Sequence, residues 1–164
     1  MHWHLSNRAD PVAASIADRH YSRQKPGSRQ FVPPGRCLVL VADGAYWVTS
    51  WPYTEYVKHA WGGAWICSAF RNESEVLSSF LIREAVAATL WTWPDVPTLG
   101  MVTFVDANKV RHKRDPGRCF RKAGFVDCGK TKSGLWALQL LPACMPLPAP
   151  ALGQYVSRLL PVGE

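Results

Sequence analysis

The stretch Ala64-Trp65-Ile66-Cys67-Ser68-Ala69-Phe70 is a short apolar run, after which Leu77, Leu81, Ala85 and Ala88 recur at helical spacing as far as Pro94. Leu99-Gly100-Met101-Val102-Thr103-Phe104-Val105 is then apolar again. Two short runs flanking a longer 3.6-period segment read as strand, helix, strand, a crossover that joins parallel neighbours. Upstream, Cys37–Val41 and Ala45–Thr49 flank Asp43-Gly44, a hairpin signature. Asp10-Pro11 offers an N-cap and a first-turn proline, which predicts a helix from Pro11 towards His20. Downstream, Cys119–Ala123 reads as a short helix, and Leu135–Leu141 as the last strand. This order predicts an α/β (α+β) mixed sheet with helices on both faces. Residues 1–141 would form the folded domain. Residues 142–164, with five prolines, would be an extended or loosely packed tail.

A length of 164 residues suits one domain, and a 48% hydrophobic share supports a core. Of the eight tryptophans, Trp47, Trp65 and Trp136 sit in strand-like runs and are expected inside. The five cysteines are scattered without a C-x-x-C spacing, which argues against a zinc ribbon or a dithiol pair and for a reducing compartment. The first residues lack the basic-then-apolar pattern of a signal peptide, and no apolar run reaches the length of about 18 needed to span a bilayer. The expectation is a cytoplasmic protein without a membrane partner.

A net charge of +7 favours polyanions. The charge is concentrated: Lys109, Arg111, Lys113, Arg114, Arg118, Arg121, Lys122, Lys130 and Lys132 are opposed in that stretch by Asp115 and Asp127 alone. Runs of this kind are usually a solvated face, but forked arginine donors suit phosphates. Arg19, Arg23, Lys25, Arg29 and Arg36 would extend the same patch.

Thr103-Phe104-Val105-Asp106-Ala107-Asn108 and Arg118-Cys119-Phe120-Arg121-Lys122-Ala123-Gly124-Phe125 resemble the C-terminal half of the GNAT acyltransferases. In that family a strand ends in a polar residue, and a short helix then carries an aromatic, a basic pair and a Gly-Phe corner. The family's glycine-rich pyrophosphate loop is missing. Arg71-Asn72-Glu73-Ser74-Glu75-Val76-Leu77-Ser78-Ser79 stands in its place. With Arg19-His20-Tyr21-Ser22-Arg23, Phe31–Leu40, Phe70–Glu73 and Lys113–Gly117, the chain is similar to a divergent branch, the bacteriophage Mom-like DNA-modification proteins. That resemblance covers about residues 19–141.

It implies carbamoylmethylation of the adenine N6 amine in double-stranded DNA, a mark that protects phage DNA from restriction, made by a phage- or prophage-encoded protein in a bacterial host. It also implies acetyl-CoA as a contributor, with iron suggested. Two other functions stay open: an acetyl-CoA-dependent N-acyltransferase acting on a small amine or a protein lysine, and a catalytically inactive DNA-binding accessory protein. A homodimer is an open alternative to a monomer.

The candidate catalytic residues are His20, Tyr21, Ser22 and Asp106. His20 would take a proton or bind iron, and Tyr21 would stack on a base or donate a hydrogen bond. As plain structure, His20 would cap its helix and Tyr21 would pack. Asp106 ends a strand, where carboxyl ends open onto ligand crevices; it would serve as a base or, with His20, as a metal ligand. Its alternative is a turn cap. Arg71, Asn72, Ser78, Ser79, Asn108 and Phe120 are the candidate cofactor contacts, while Ser74 would cap the long helix with Glu75 at its positive end. DNA contacts are expected from Arg23, Lys25, Lys109, Arg111, Lys113, Arg114 and Arg118. Work on N6 requires the base to leave the stack. Trp51, Tyr53, Tyr56 and Trp61 lie in one loop and would wedge into the duplex or hold the extruded adenine.

Overall fold

Alternating side chains on a strand reach opposite faces of a sheet, and the hairpin uses both faces. Leu38, Leu40 and Ala42 enter one apolar cluster, while Val39 and Val41 enter another across the sheet. The computed structural model describes residues 1–7, 10–19, 35–109 and 115–155. Its elements are β1 (His4–Leu5), α1 (Pro11–Asp18), β2 (Arg36–Ala42), β3 (Ala45–Trp51), β4 (Trp65–Asn72), α2 (Ser78–Thr92), β5 (Met101–Val105), α3 (Arg118–Lys122), β6 (Val126–Lys130), β7 (Trp136–Leu140) and β8 (Leu152–Gln154). The eight strands make one mixed sheet in the order β6-β7-β5-β4-β3-β2-β1-β8. Its parallel pairs are β4–β5 and β1–β8.

α2 packs Leu81, Ile82, Ala85 and Val86 with Trp47 and Trp65 on one face, where α3 adds Phe120. α1 covers the opposite face with Ala13, Ile16 and Ala17 against Tyr46 and Val48. The Asp10 carboxylate accepts from the Val12 N–H at 2.8 Å and caps α1. The expected cap of α2 is not formed. Leu77 is the N-cap residue, and it makes no side-chain capping hydrogen bond. Ser74 instead donates to Asn72 Oδ1 through both its backbone N–H and its hydroxyl, at 2.9 and 2.6 Å, which commits it to the loop before the helix.

Three further elements have no strong sequence signal. β6 is a mostly exposed edge strand with no apolar alternation, and its pairing with β7 shifts register between Asp127 and Gly129. β1 has only two residues. The tail departs from expectation: β8 joins the sheet, with Leu152 N–H donating to the Trp3 carbonyl at 2.8 Å and Tyr155 N–H to the Leu5 carbonyl at 2.9 Å. Met145 and Ala151 pack against the main core. β8 itself holds no proline and, as an edge strand, pairs on one side alone, so the prolines before it leave no ladder donor missing.

The feature that shapes the site is the parallel pair. β4 and β5 are paired only at Trp65–Met101, Ile66–Val102 and Cys67–Thr103. Beyond that point β4 continues on β3 and β5 continues on β7. The β3–β4 register shifts between Val48 and Thr49, which face Ala69 and Cys67, so Ser68 is the extra residue of a bulge. A bulge bends its strand and increases its twist, which directs β4 away from β5. The carboxyl ends of the two strands therefore open at the same end of the sheet. Among the described residues, no helix is long and apolar enough to cross a membrane.

Candidate functional site

The parted strands expose two polar junctions. At the end of β4, Glu73 lies between two arginines: Arg19 donates through Nε at 2.7 Å and Nη2 at 2.6 Å, and Arg71 donates through Nε at 2.8 Å. These hydrogen bonds, from Arg19 first and then Arg71, hold the Glu73 carboxyl at a pKa of about 2. Arg19 is the last described residue before His20, so the chain leaves α1 beside the carboxyl end of β4. His20, Tyr21, Ser22, Arg23, Lys25 and Arg29 lie outside the described residues, as do Arg111, Lys113 and Arg114.

At the end of β5, Asp106 Oδ1 accepts from the N–H groups of Asn108 at 3.0 Å and Lys109 at 3.2 Å. Asp106 is thus a turn cap whose bonds to the turn use a single carboxylate oxygen. Asn108 is exposed.

The groups assigned to a cofactor are largely engaged within the protein. Arg71 is held by Glu73. Asn72 Nδ2 donates to the Val76 carbonyl at 2.6 Å and to Ser78 Oγ at 3.0 Å, while its Oδ1 accepts from Ser74. Phe120 is buried and stacks edge-on against Phe70 and Phe125. At the start of α2 the N-cap residue makes no side-chain cap, while the Ser78 hydroxyl is taken by Asn72 Nδ2 at 3.0 Å. Among the described residues, no three His, Cys, Asp or Glu side chains are placed to hold a metal ion.

The basic stretch divides into two. Arg121 is a structural residue: it pairs with Asp115 at 3.1 Å and Asp127 at 2.9 Å, donates to the Pro116 carbonyl at 2.7 Å and lies over the Trp136 ring. Both acids of the stretch are spent on it. Lys109, Arg118, Lys122, Lys130 and Lys132 are exposed and make no ion pair among the described residues. Arg19 and Arg36 do not extend this patch as free cations. The first is held by Glu73, and the second lies over the Trp51 and Trp93 rings at 4.9 and 5.2 Å.

The aromatic loop also divides. Trp51 packs with Trp65 and Trp93 on the core side. Tyr56 and Trp61 instead line a cavity of about 690 Å³, which sits between this loop and the turn joining β6 to β7. Tyr53 is exposed beside Tyr56. Residues to which the sequence assigned no role also line the cavity: Ser50, Ser68 and Phe104 from the sheet, and Lys58 and His59 from the loop. His59 Nδ1 accepts the Trp61 N–H at 3.1 Å. Burial lowers the pKa of His59, which favours its neutral imidazole. The position of His59 within the aromatic loop was its one available signal.

The chain matches no protein-family model, no curated protein and no solved structure.

Proposed function

We propose that the protein is a DNA-modifying transferase with a GNAT acyltransferase-like fold, acting on the adenine N6 amine as its resemblance to Mom-like proteins implies. The observation that carries this reading is the imbalance of charge along the β5–α3 and β6–β7 segments. Two acids neutralise Arg121, while five cations remain exposed and without an ion pair among the described residues. A surface of this kind takes up phosphates by releasing counterions. The Phe120–Phe125 corner, folded as α3 leading into β6, supports the fold reading.

Forming a carbon–nitrogen bond at N6 requires the amine to shed a proton. Asp106 stands at the carboxyl end of β5, and the turn occupies only its Oδ1. His20 follows Arg19, which is tethered at the carboxyl end of β4. The resemblance implies acetyl-CoA as a contributor, and the N-terminal end of α2 suits its pyrophosphate. A DNA-binding accessory protein without catalysis is the second reading, favoured by the turn-capping bonds of Asp106. Plasmid recovered from cells expressing the protein should resist restriction enzymes whose sites contain adenine, and the Asp106→Ala variant should lose that protection. Complete cleavage in the presence of soluble wild-type protein overturns the enzymatic reading.

A further inference from the structure

We infer that the cavity between the 52–61 loop and the β6–β7 turn holds one nucleotide extruded from DNA, its base against Trp61 and Phe104 and its phosphate among Lys58, Lys130 and Lys132. The inference deepens the proposed function and rests on it for the source of the nucleotide.

The chemistry follows from the lining. His59, Trp61 and Phe104 form a triangle of rings, with His59 to Phe104 centroids at 5.0 Å, Trp61 to Phe104 at 5.8 Å and His59 to Trp61 at 6.0 Å. Tilted ring faces open to a cavity suit a planar heterocycle, and base–aromatic stacking is the common device for holding an unpaired base. The cavity volume of about 690 Å³ lies within the range of small-molecule sites. Three lysines line it, and no carboxylate does. A phosphate at the rim would pair these exposed lysines through charge-assisted hydrogen bonds.

The polar groups also orient the base. The Trp61 N–H occupies the His59 Nδ1 lone pair, so the neutral imidazole carries its proton on Nε2 and is a donor there. It matches an acceptor nitrogen on a base ring. Ser50 and Ser68, joined through their hydroxyls at 2.6 Å, present further hydrogen-bonding groups to the base edge at the sheet. Ser68 is the bulge residue. The irregularity that parts β4 from β5 therefore also places a hydroxyl in this cavity. A donor at Nε2 suits the ring nitrogens of a purine, stacking area favours the purine as well, and the proposed function makes that purine adenine.

The test is calorimetric titration of the full chain with dAMP, dTMP and coenzyme A, alongside nucleoside analysis of DNA from cells expressing each variant. dAMP should bind more tightly than dTMP. The Lys58→Ala/Lys132→Ala double variant should lose about tenfold or more in dAMP affinity, because charged hydrogen bonds are removed. His59→Leu should narrow the preference for dAMP over dTMP, and circular dichroism should show both variants folded. Unchanged dAMP affinity in both variants overturns the inference. Displacement of dAMP by coenzyme A also overturns it and assigns the cavity to the cofactor's adenosine. If dAMP binds as described but no DNA is modified, the cavity assignment stands and the transferase reading falls. If DNA is modified equally by wild type and both variants, the transferase stands and the cavity assignment falls.

Discussion

Replacing Trp3 tests how the N-terminal segment is tied to the site. Trp3 is fully buried, its ring is edge-on to Phe70 at 6.4 Å, and its Nε1 donates to the Leu81 carbonyl at 2.8 Å. Leu81 is in the first turn of α2 and Phe70 is in the free half of β4, so one side chain braces both walls of the opening. Truncation to Ala removes the packing and leaves a void, a change that costs about 3–5 kcal/mol in a core. Trp3→Phe keeps a ring and loses chiefly the hydrogen bond, for about 1–2 kcal/mol. A chain of this size holds about 8–25 kcal/mol in total, so both variants stay folded in water. With a urea slope of about 2 kcal/mol/M, the midpoint should fall by about 2 M for Ala and by under about 1 M for Phe. The assay is urea unfolding followed by far-ultraviolet circular dichroism. A midpoint for Trp3→Ala equal to that of wild type refutes the reasoning, since the segment would then contribute nothing to the core.

Glu73 gives a pH prediction. Its folded pKa of about 2 lies below the ordinary value of 4.5, so its contribution to stability is fully present above pH 4.5 and is lost as pH falls through about 2. Carboxyl-carbon NMR should show a Glu73 midpoint near 2, and Arg19→Ala should move it towards 4.5. Gly100 has a φ of +67°, and an added Cβ would collide with the Leu140 carbonyl, so Gly100→Ala should cost about 2 kcal/mol or more in the same urea assay. Arg121→Ala should lower stability by about 1–2 kcal/mol and, by unmasking Asp115 and Asp127, should weaken binding to duplex DNA in a fluorescence anisotropy titration.

The β2–β3 hairpin and the strand–helix–strand unit around α2 were legible because their apolar patterns are sharply punctuated, by Asp43-Gly44 in the one and Pro94 in the other. β6 and β8 were not, because edge strands need bury no alternating face. Their place is set by backbone partners elsewhere in the chain. The cap of α2 was misread for a related reason. Ser74 has the right chemistry for a cap, but Asn72 competes for it two residues away. Charge clustering was legible as a run, but not the pairing within it: only the fold shows Arg121 taking both Asp115 and Asp127. The cavity was the least legible feature. Tyr56 and Trp61 stood out as aromatics, while Phe104 looked like any strand residue until the sheet brought it beside His59.

The transferase reading is tested most directly by mass spectrometry of nucleosides from DNA of cells that express the protein. The account predicts a new adenine nucleoside, heavier by one carbamoylmethyl group, that disappears with Asp106→Ala. Only unmodified adenine, from cells with abundant soluble protein, contradicts it.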